Sequence, residues 1–313
     1  MKLNVRVTDI WEETLSVKRF CLSPANGEQL PPFSGGAHIT TYLKSDNSVL
    51  ERHYSLISNP RDRSHYQIAV RLQDNSRGGS AFWHQRVQVG HMLQISYPKN
   101  HFSLSTRAKH HVLCAAGIGI TPFLSMMQDL EGKSFELHMA APSRDECPFY
   151  EHILRQYPSQ ANFYFSREGQ RLTPEFLSEQ RMGTHVYVCG PDAMVKQFTA
   201  AARSYGYPAG NIHFERFAPP VIQESKPFVA QLNQSNRSIT VSENESLLDV
   251  LLREGVKVPY SCRVGRCGTC QLEVLEGEVA HYDLLLSDAE KESQRLILPC
   301  VSRARSERIV LSI

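Results

Sequence analysis

Four cysteines near the C-terminal end of the sequence have the spacing needed to hold an iron–sulfur cluster. Cys262, Cys267 and Cys270 are separated by four and two residues, and Cys300 follows after a long gap. This is the spacing of plant-type [2Fe–2S] sites, in which cysteine thiolates hold the irons. The sequence therefore predicts a [2Fe–2S] cluster bound by these four residues.

Two glycines in the same loop favour a cluster over other uses of the thiols. Gly265 and Gly268 let the backbone come close enough for its N–H groups to donate to cluster sulfur. The alternative is structural zinc, but zinc sites favour two short cysteine pairs. Because an iron–sulfur centre passes single electrons, the rest of the chain should contain their source.

Composition and charge indicate an ordinary globular protein. A length of 313 residues allows two or three domains, and 41% apolar and 21% charged residues are typical values. The net charge of +2 gives no reason to expect nucleic acid or a membrane surface as a partner. No apolar run reaches the ~18 residues of a transmembrane helix, so none is expected.

The remaining cysteines and the N-terminal residues indicate the compartment. Cys21, Cys114, Cys147 and Cys189 are scattered, which argues against a disulfide framework and for a reducing cytoplasm. The N-terminal stretch becomes charged too early for a signal peptide. We therefore expect a cytoplasmic protein.

Residues 1–102 predict an antiparallel β-barrel or sandwich, because short alternating runs are separated by turn residues. One of these runs contains Arg52, Tyr54 and Ser55, which offer a charge to a phosphate, a stacking ring and a hydroxyl donor. An ordinary surface strand is the alternative, and spacing alone favours it.

A second feature of this region strengthens the hypothesis of a bound ligand. The run of Ala69, Val70 and Arg71 is followed by Arg77 and then by a Gly-Gly-Ser turn, residues 78–80, that opens a short helix. Such a turn directs N–H groups at an anion, and Arg77 adds positive charge. The two features together describe a site for a planar ligand that carries a phosphate.

From residue 103 to 218 strands and helices alternate, which predicts a parallel α/β sheet that binds its ligand at the carboxyl ends of the strands. Two of these ends carry glycines that can approach a dinucleotide: Gly117 with Gly119, and Gly190 before Pro191. Thr121 is a good helix N-cap residue before Pro122. Strands are predicted at 135–140, 162–166 and 185–189, and helices at 146–156 and 192–205.

A proline-rich linker at 219–227 separates these regions from a C-terminal domain at 228–313. A hairpin at 228–232 and 237–241, a helix at 246–254, the cysteine loop and two further strands follow in that order. This order predicts a small α+β domain of the β-grasp type. The whole chain is thus predicted to be multidomain.

The motifs in this order resemble the reductase components of two-component Rieske oxygenases. The type is phthalate dioxygenase reductase, with the vanillate demethylase and carnitine monooxygenase reductases as relatives. The resemblance covers nearly the whole chain. It is carried by residues 52–56, 77–80, 117–122, 187–191, 214–217 and the four cysteines.

The resemblance implies a role for each matching residue. Arg52, Tyr54, Ser55, Ala69, Val70, Arg71, Gly78, Gly79 and Ser80 would hold a flavin, which is FMN rather than FAD in this branch. Thr121 would lie between flavin and nicotinamide, and Phe217 would cover the flavin face. Gly117, Gly119, Cys189, Gly190 and Pro191 would contact the nicotinamide dinucleotide.

Two departures from the family pattern concern the nucleotide. Ala116 stands where many relatives have glycine, which is a small change. Arg144 stands near the expected ribose position, where an acidic residue would favour NAD and an arginine could accept the 2′-phosphate of NADP. The preference for NADH over NADPH therefore depends on the resemblance alone.

The implied function is electron transfer from NADH through FMN and the [2Fe–2S] cluster to a partner Rieske-type oxygenase. No residue is predicted to be catalytic in the acid–base sense, because the cofactors carry the chemistry. Arg263 and Arg266 flank the cluster and would raise its potential or attract an acidic partner, although simple solubility explains them equally well. One alternative is a flavin and iron–sulfur reductase or diaphorase that serves a non-Rieske acceptor. Another is a nucleotide-binding module with structural zinc.

Overall fold

The structure is a computed structural model that describes residues 2–45, 48–74, 76, 78–220, 222 and 225–313. The chain divides into two compact units, Met1–Arg216 and Phe217–Ile313. Among the described residues, no helix is long and apolar enough to cross a membrane. Arg77, and Val221, Gln223 and Glu224 of the predicted linker, lie outside the described residues.

The first part of the first unit is an antiparallel barrel. Its strands are β1 (Lys2–Thr14), β2 (Val17–Pro24), β3 (His38–Ser45), β4 (Ser48–Ser55), β5 (Tyr66–Arg71) and β6 (Met92–Ser96), with helix α1 (Gly79–Gln85). The strand order is β4-β3-β6-β1-β2-β5. Just beyond β4, Ile57 N donates to the Gln67 carbonyl of β5 at 2.9 Å and joins the two outer strands. The predicted barrel is confirmed.

The second part is a parallel sheet with helices. Its elements are β7 (His110–Ala116), α2 (Thr121–Asp129), β8 (Phe135–Ala141), α3 (Tyr150–Gln156), β9 (Ala161–Phe165), β10 (Thr184–Cys189), α4 (Asp192–Ser204) and β11 (Ile212–Glu215). The order β11-β10-β7-β8-β9 is parallel throughout. Four 3₁₀ turns occur at Gly117–Ile120, Ser166–Glu168, Pro174–Glu179 and Ala209–Asn211. The predicted α/β region is confirmed.

One hydrophobic cluster joins the barrel to the parallel sheet, although the barrel also has a core of its own. Val17 and Ala69 of the barrel pack in the same cluster as Phe123 of α2 and Leu137 of β8. Two backbone donors of the barrel loop add to this contact, since Gly35 N donates to Asp129 Oδ2 at 2.6 Å and Gly36 N to Ser125 Oγ at 3.1 Å. The sequence predicts only a turn at these glycines. The structure uses them to seat the barrel on α2.

Two sequence predictions in this unit are wrong in detail. Thr121 is not an N-cap, because the turn Gly117–Ile120 runs directly into α2 and the capping position is Ile120. The Thr121 hydroxyl instead donates to the Ile118 carbonyl at 3.0 Å. The helix predicted at 146–156 begins only at Tyr150, because Phe149 has a left-handed φ of 63° that interrupts helical geometry.

The second unit is an α+β domain, as predicted. It contains β12 (Phe228–Leu232), β13 (Arg237–Val241), α5 (Leu247–Arg253), β14 (Leu272–Glu276), β15 (Val279–Ala280), α6 (Asp288–Glu292), β16 (Leu296–Ile297), β17 (Arg303–Ala304) and β18 (Arg308–Leu311). The main sheet has the order β13-β12-β18-β14-β16, and only β12 and β18 are parallel. Ser246 caps α5 by accepting from Asp249 N at 3.0 Å. The β-grasp prediction is confirmed.

Candidate cofactor sites

The four predicted cysteine ligands contact one another as two pairs. Cys262 N lies 3.5 Å from the sulfur of Cys267, and Cys267 N lies 3.4 Å from the sulfur of Cys262. Hydrogen bonding within each pair lowers the pKa of Cys267 to about 4 and lowers that of Cys270, while it raises the pKa values of Cys262 and Cys300.

Two pairs of cysteines suit a cluster with two irons, because each iron takes two thiolates beside the bridging sulfides. The donor set of the loop therefore fits a [2Fe–2S] cluster.

The loop glycines are needed for conformation and for close packing. Gly265 and Gly268 have left-handed φ values of 74° and 70°. A Cβ on Gly265 would lie 2.5 Å from Cγ2 of Val301, and one on Gly268 would lie 2.7 Å from Cδ2 of Leu285. Because Val301 follows Cys300, Gly265 is what allows the segment with the fourth cysteine to approach the other three.

Arg263 is partly neutralised by its neighbours. Its NH1 lies 2.6 Å from Asp249 Oδ1, and its guanidinium stacks 4.4 Å from the centre of the Tyr260 ring. Both contacts lie within the second unit. Arg263 is therefore a weaker source of positive potential at the cluster loop than the sequence alone suggests.

The structure brings Arg52 of the predicted flavin set against the start of α1. A Cβ on Gly79 would lie 2.5 Å from Nε of Arg52, so only glycine leaves room for the arginine side chain. Gly78, the residue before α1, has a left-handed φ of 84°. Arg52 and the Gly-Gly-Ser turn thus meet at one place, as a shared phosphate site requires.

Two side chains beside this place have fixed surroundings. Tyr54 lies edge-on to the buried Trp83 with ring centres 5.8 Å apart, and burial raises the pKa of its phenol so that it stays protonated. The Ser80 hydroxyl donates to Ser76 Oγ at 3.0 Å and accepts from Gln73 N at 3.2 Å. Ser55 is buried at the end of β4. The turn is therefore held by its own hydrogen bonds.

The neighbouring strand β5 carries the other predicted flavin residues. Ala69 and Val70 are buried, and Arg71 is exposed. The carbonyl of Val70 accepts a hydrogen bond from Nε2 of His84 at 2.8 Å, which fixes that ring nitrogen as a donor. His84 was missed by the sequence analysis. The only sequence signal that could have indicated His84 is its position one helical turn after the Gly-Gly-Ser turn.

The nicotinamide set meets where β7 and β10 end. A Cβ on Gly119 would lie 2.2 Å from the Cys189 carbonyl oxygen, and one on Gly190 would lie 3.1 Å from Cβ of Ala116. Gly119 is therefore needed for packing between the two strand ends as well as for any ligand. Ala116 is tolerated because its partner Gly190 has no side chain.

The turn after Gly190 is anchored by an ion pair that the sequence did not predict. The buried Arg216 places NH2 2.7 Å from Asp192 Oδ1 at the start of α4, directly after Pro191. Burial lowers the pKa of Arg216, and the carboxylate opposes that effect. Arg216 thereby ties the end of the first unit to the predicted nucleotide turn.

The flavin and nicotinamide sets lie next to each other. The Cβ position of Gly117, which has a left-handed φ of 53°, is 3.9 Å from NH1 of Arg71. Thr121 is buried at the start of α2, one turn further on. Phe217 belongs to the second compact unit, so its place over the flavin stays a prediction.

Two arginines at the ends of β8 and β9 are paired with glutamates. Nε of Arg144 lies 3.5 Å from Oε1 of Glu168, and Arg167 forms an ion pair with Glu146. The Arg167 amide also donates to the Pro142 carbonyl at 3.0 Å, which joins the two strand ends. Neither arginine is thus a lone cation at the predicted ribose position.

Three family profiles match successive parts of the chain. Residues 4–104 match the oxidoreductase FAD-binding domain, and residues 96–212 match the N-terminal domain of dimethylamine monooxygenase subunit DmmA-like proteins. Residues 230–305 match the 2Fe-2S iron–sulfur cluster binding domain. The second of these ranges includes the predicted nucleotide turn at Gly117, and the third includes all four predicted cysteine ligands.

Relatives match this chain over nearly its whole length. The carnitine monooxygenase reductase subunit of Acinetobacter baumannii is 39% identical over 310 residues, which cover 98% of this chain and 96% of that protein. This chain belongs to the oxygenase reductase family. It is an oxidoreductase with flavin-binding and [2Fe–2S] domains, and the resemblance read from the sequence is confirmed.

Two further proteins that are similar to this chain show the breadth of this family. The heme-dependent oxidative N-demethylase beta subunit of Ectopseudomonas mendocina is 38% identical over 313 residues, which cover 99% of each chain. The solved structure of phthalate dioxygenase reductase, a modular structure for electron transfer from pyridine nucleotides to [2Fe–2S], has a TM-score of 0.78 and 32% identity. The match covers 100% of this chain and 98% of the phthalate dioxygenase reductase chain.

Proposed function

We propose that this reductase takes electrons from NADH and passes them through FMN and its [2Fe–2S] cluster to a Rieske-type oxygenase in the cytoplasm. The flavin supplies the conversion of a two-electron hydride into single electrons, which the cluster can carry. The chain's own residues supply binding and alignment. The four cysteines outside the cluster motif form no disulfide, which supports the cytoplasmic location.

The observation that carries this proposal is the approach of Arg71 to Gly117. Hydride transfer needs the two reacting rings in contact, and alignment of this kind contributes much of an enzyme's rate. NH1 of Arg71 lies 3.9 Å from the Cβ position of Gly117, so the proposed flavin strand β5 ends directly beside the proposed nucleotide turn. Arg52 and the turn at residues 78–80 would hold the flavin phosphate.

FMN rather than FAD is proposed because the residues that meet here account for one phosphate. Nε of Arg52 lies 2.5 Å from the Cβ position of Gly79. The hydroxyl of Ser80, the last residue of the Gly-Gly-Ser turn, donates to Ser76 Oγ. Mass spectrometry of the flavin released by denaturation decides between the two. FAD in the released fraction would contradict the proposal.

NADH rather than NADPH is proposed because of the paired arginines at the strand ends. A 2′-phosphate placed there would have to compete with Glu168 for Arg144 and with Glu146 for Arg167. Like charges at such distances disfavour each other, although exposure and salt weaken the effect. A carboxylate can instead accept from the 2′-hydroxyl of NADH.

Direct binding of the oxidised coenzymes tests this preference. We expect NAD⁺ to bind the full chain more tightly than NADP⁺ in calorimetry, and Glu168→Gln to tighten NADP⁺ binding severalfold by releasing Arg144. Glu151→Gln, an exposed change in the first turn of α3, is the matched control and should leave both affinities unchanged. Equal binding of both coenzymes to the wild type would contradict the preference.

A second candidate function follows from the relatives. Because a relative of 38% identity is named as the beta subunit of a heme-dependent oxidative N-demethylase, a heme-containing oxygenase is the alternative partner. Substrate-dependent NADH oxidation by mixtures of this chain with each class of oxygenase separates the two. Coupled turnover with the heme class alone would overturn the Rieske assignment and keep the reductase.

A further inference from the structure

A buried carboxylate lies against the cluster loop. The side chain of Asp283 has no exposed surface. The Cβ position of Gly265 is 3.1 Å from Cα of Asp283 and 3.3 Å from its Cβ, and Leu284 N donates to the Gly265 carbonyl at 3.1 Å. Because Gly265 lies between Cys262 and Cys267, Asp283 packs on the part of the chain that carries three of the four ligands.

Hydrogen-bond donors converge on this carboxylate. Oδ1 accepts from the backbone N of Leu285 at 3.2 Å and of Leu286 at 2.9 Å. Oδ2 accepts from the buried hydroxyl of Ser302 at 3.3 Å, and Ser302 stands two residues after Cys300. Three donors of this kind stabilise a charged carboxylate in a protein interior.

The surrounding side chains leave the negative charge only partly compensated. Nδ1 of His281 lies 3.4 Å from Oδ2, but burial lowers the pKa of His281 and so opposes a compensating charge on the ring. The Lys291 ammonium donates at 3.2 Å to the backbone carbonyl of Asp283 rather than to its carboxylate. Asp283 therefore contributes negative potential beside the loop.

A negative charge in a place of low dielectric constant acts strongly on its neighbours. Reduction adds one electron to the cluster, and nearby negative charge opposes that addition and lowers the reduction potential. A low potential favours delivery of electrons to an acceptor. The position of Asp283 thus bears on how strongly the cluster can reduce its partner.

We propose that Asp283 is a positioning residue that sets the cluster potential, through its buried charge and through the segment 284–286 that it holds on the cluster loop. It acts on the cluster through Gly265 and does not ligate iron. This inference goes beyond the proposed function, because it concerns the potential of the cluster and holds for any electron donor or acceptor.

The test compares two substitutions that remove the same charge. Asp283→Asn keeps an oxygen to accept from Leu285 and Leu286 but loses the buried charge, whereas Asp288→Asn loses an exposed charge in α6. In redox titrations of the full-length holoprotein followed by visible absorption, Asp283→Asn should make cluster reduction at least tenfold more favourable, which is about 59 mV upward. Asp288→Asn should leave the potential unchanged.

A purely structural role predicts a different result. If Asp283→Asn lowers the melting temperature but leaves the potential where the control leaves it, the proposal is wrong. Should the variant not retain its cluster, Ser302→Ala decides the matter, because it removes a donor from Oδ2 and keeps the charge. We then expect a downward shift in potential, and an unchanged or raised potential would overturn the proposal.

Discussion

The predicted cluster loop and the proposed flavin–nicotinamide site are built in opposite ways. Three of the four cluster ligands lie between Cys262 and Cys270 on a single loop. The other site takes its residues from β4, β5, α1, the turn Gly117–Ile120 and the end of β10, which lie far apart in the sequence. One is a local motif and the other is assembled by packing.

This difference decides what each site depends on. In the loop we expect the four proposed ligands to be irreplaceable, and two glycines with left-handed φ shape the chain around them. In the assembled site the contact between strand ends matters most, because Gly119 meets the Cys189 carbonyl and Gly117 comes near Arg71. Mutations should therefore fail in the loop by loss of the cluster and in the assembled site by loss of alignment.

The largest expected effect separates the two sites completely. Cys267→Ser removes a ligand whose pKa is lowered to about 4, and it should abolish electron transfer to one-electron protein acceptors. NADH should still bleach the flavin, because the loop belongs to the other compact unit. Stopped-flow absorption under anaerobic conditions measures both steps.

Cys147→Ser serves as the control, since Cys147 is a buried cysteine of the first unit. It should leave the cluster spectrum intact. If Cys267→Ser also stopped flavin reduction while flavin remained bound, the proposed order of electron transfer from NADH to flavin to cluster would be wrong.

A smaller effect is expected from a glycine of the assembled site. Gly119→Ala places Cβ 2.2 Å from the Cys189 carbonyl, so the ends of β7 and β10 must separate. Overpacking of this kind costs about 1–3 kcal/mol, and we expect slower flavin reduction by NADH with an unchanged cluster spectrum. Chemical denaturation and stopped-flow absorption measure the two consequences.

Gly117→Ala is the matched control for that substitution. Its Cβ would come no closer than 3.9 Å to Arg71, so its cost arises from the left-handed φ of 53° alone, roughly 1 kcal/mol. Equal effects of the two substitutions would show that strain in the turn, not contact between strand ends, limits the site.

The smallest effect is expected from Glu136, which lies in the parallel sheet outside both sites. Its substitution tests whether a loss of stability in that sheet affects either site. Glu136 of β8 accepts from Gln180 Nε2 at 2.6 Å and lies 3.3 Å from His138 Nε2. Hydrogen bonds from His110 and His138 hold the pKa of Glu136 well below its usual ~4.3. Its carboxylate therefore stabilises the fold above that pH and loses this contribution as the pH falls.

Glu136→Gln should lower the free energy of unfolding by about 1 kcal/mol at pH 7, with partial exposure limiting the effect. Urea denaturation at several pH values should show the difference from wild type shrinking below about pH 4. Both cofactor spectra should be unchanged. A constant difference from pH 7 to pH 3 would mean that packing, and not ionisation, is the cause.

Most secondary structure followed from patterns that are local in sequence. The hairpin at 228–232 and 237–241, the helix α5 and the strands β8, β9 and β10 were all predicted within one or two residues. Thr121 and the residues before Tyr150 were misread. The 3₁₀ turn Gly117–Ile120 leads into α2, and the left-handed Phe149 precedes α3, and no periodicity reveals either feature.

The sequence by itself was enough to predict the [2Fe–2S] domain and to propose its four cysteine ligands, because cysteines at fixed spacing on one loop need no distant contact to be recognised. It also predicted the order of barrel, parallel sheet and α+β domain, which the structure confirms, and it proposed the residues of the flavin and nicotinamide sets. Only the tertiary structure decided why Gly35, Gly36 and Gly119 are glycines, since their neighbours Met126, Phe102 and Cys189 are distant in sequence or lie on another strand. The same holds for the buried Asp283, whose donors come from two separate segments and whose place beside Gly265 depends on the packing of the folded domain.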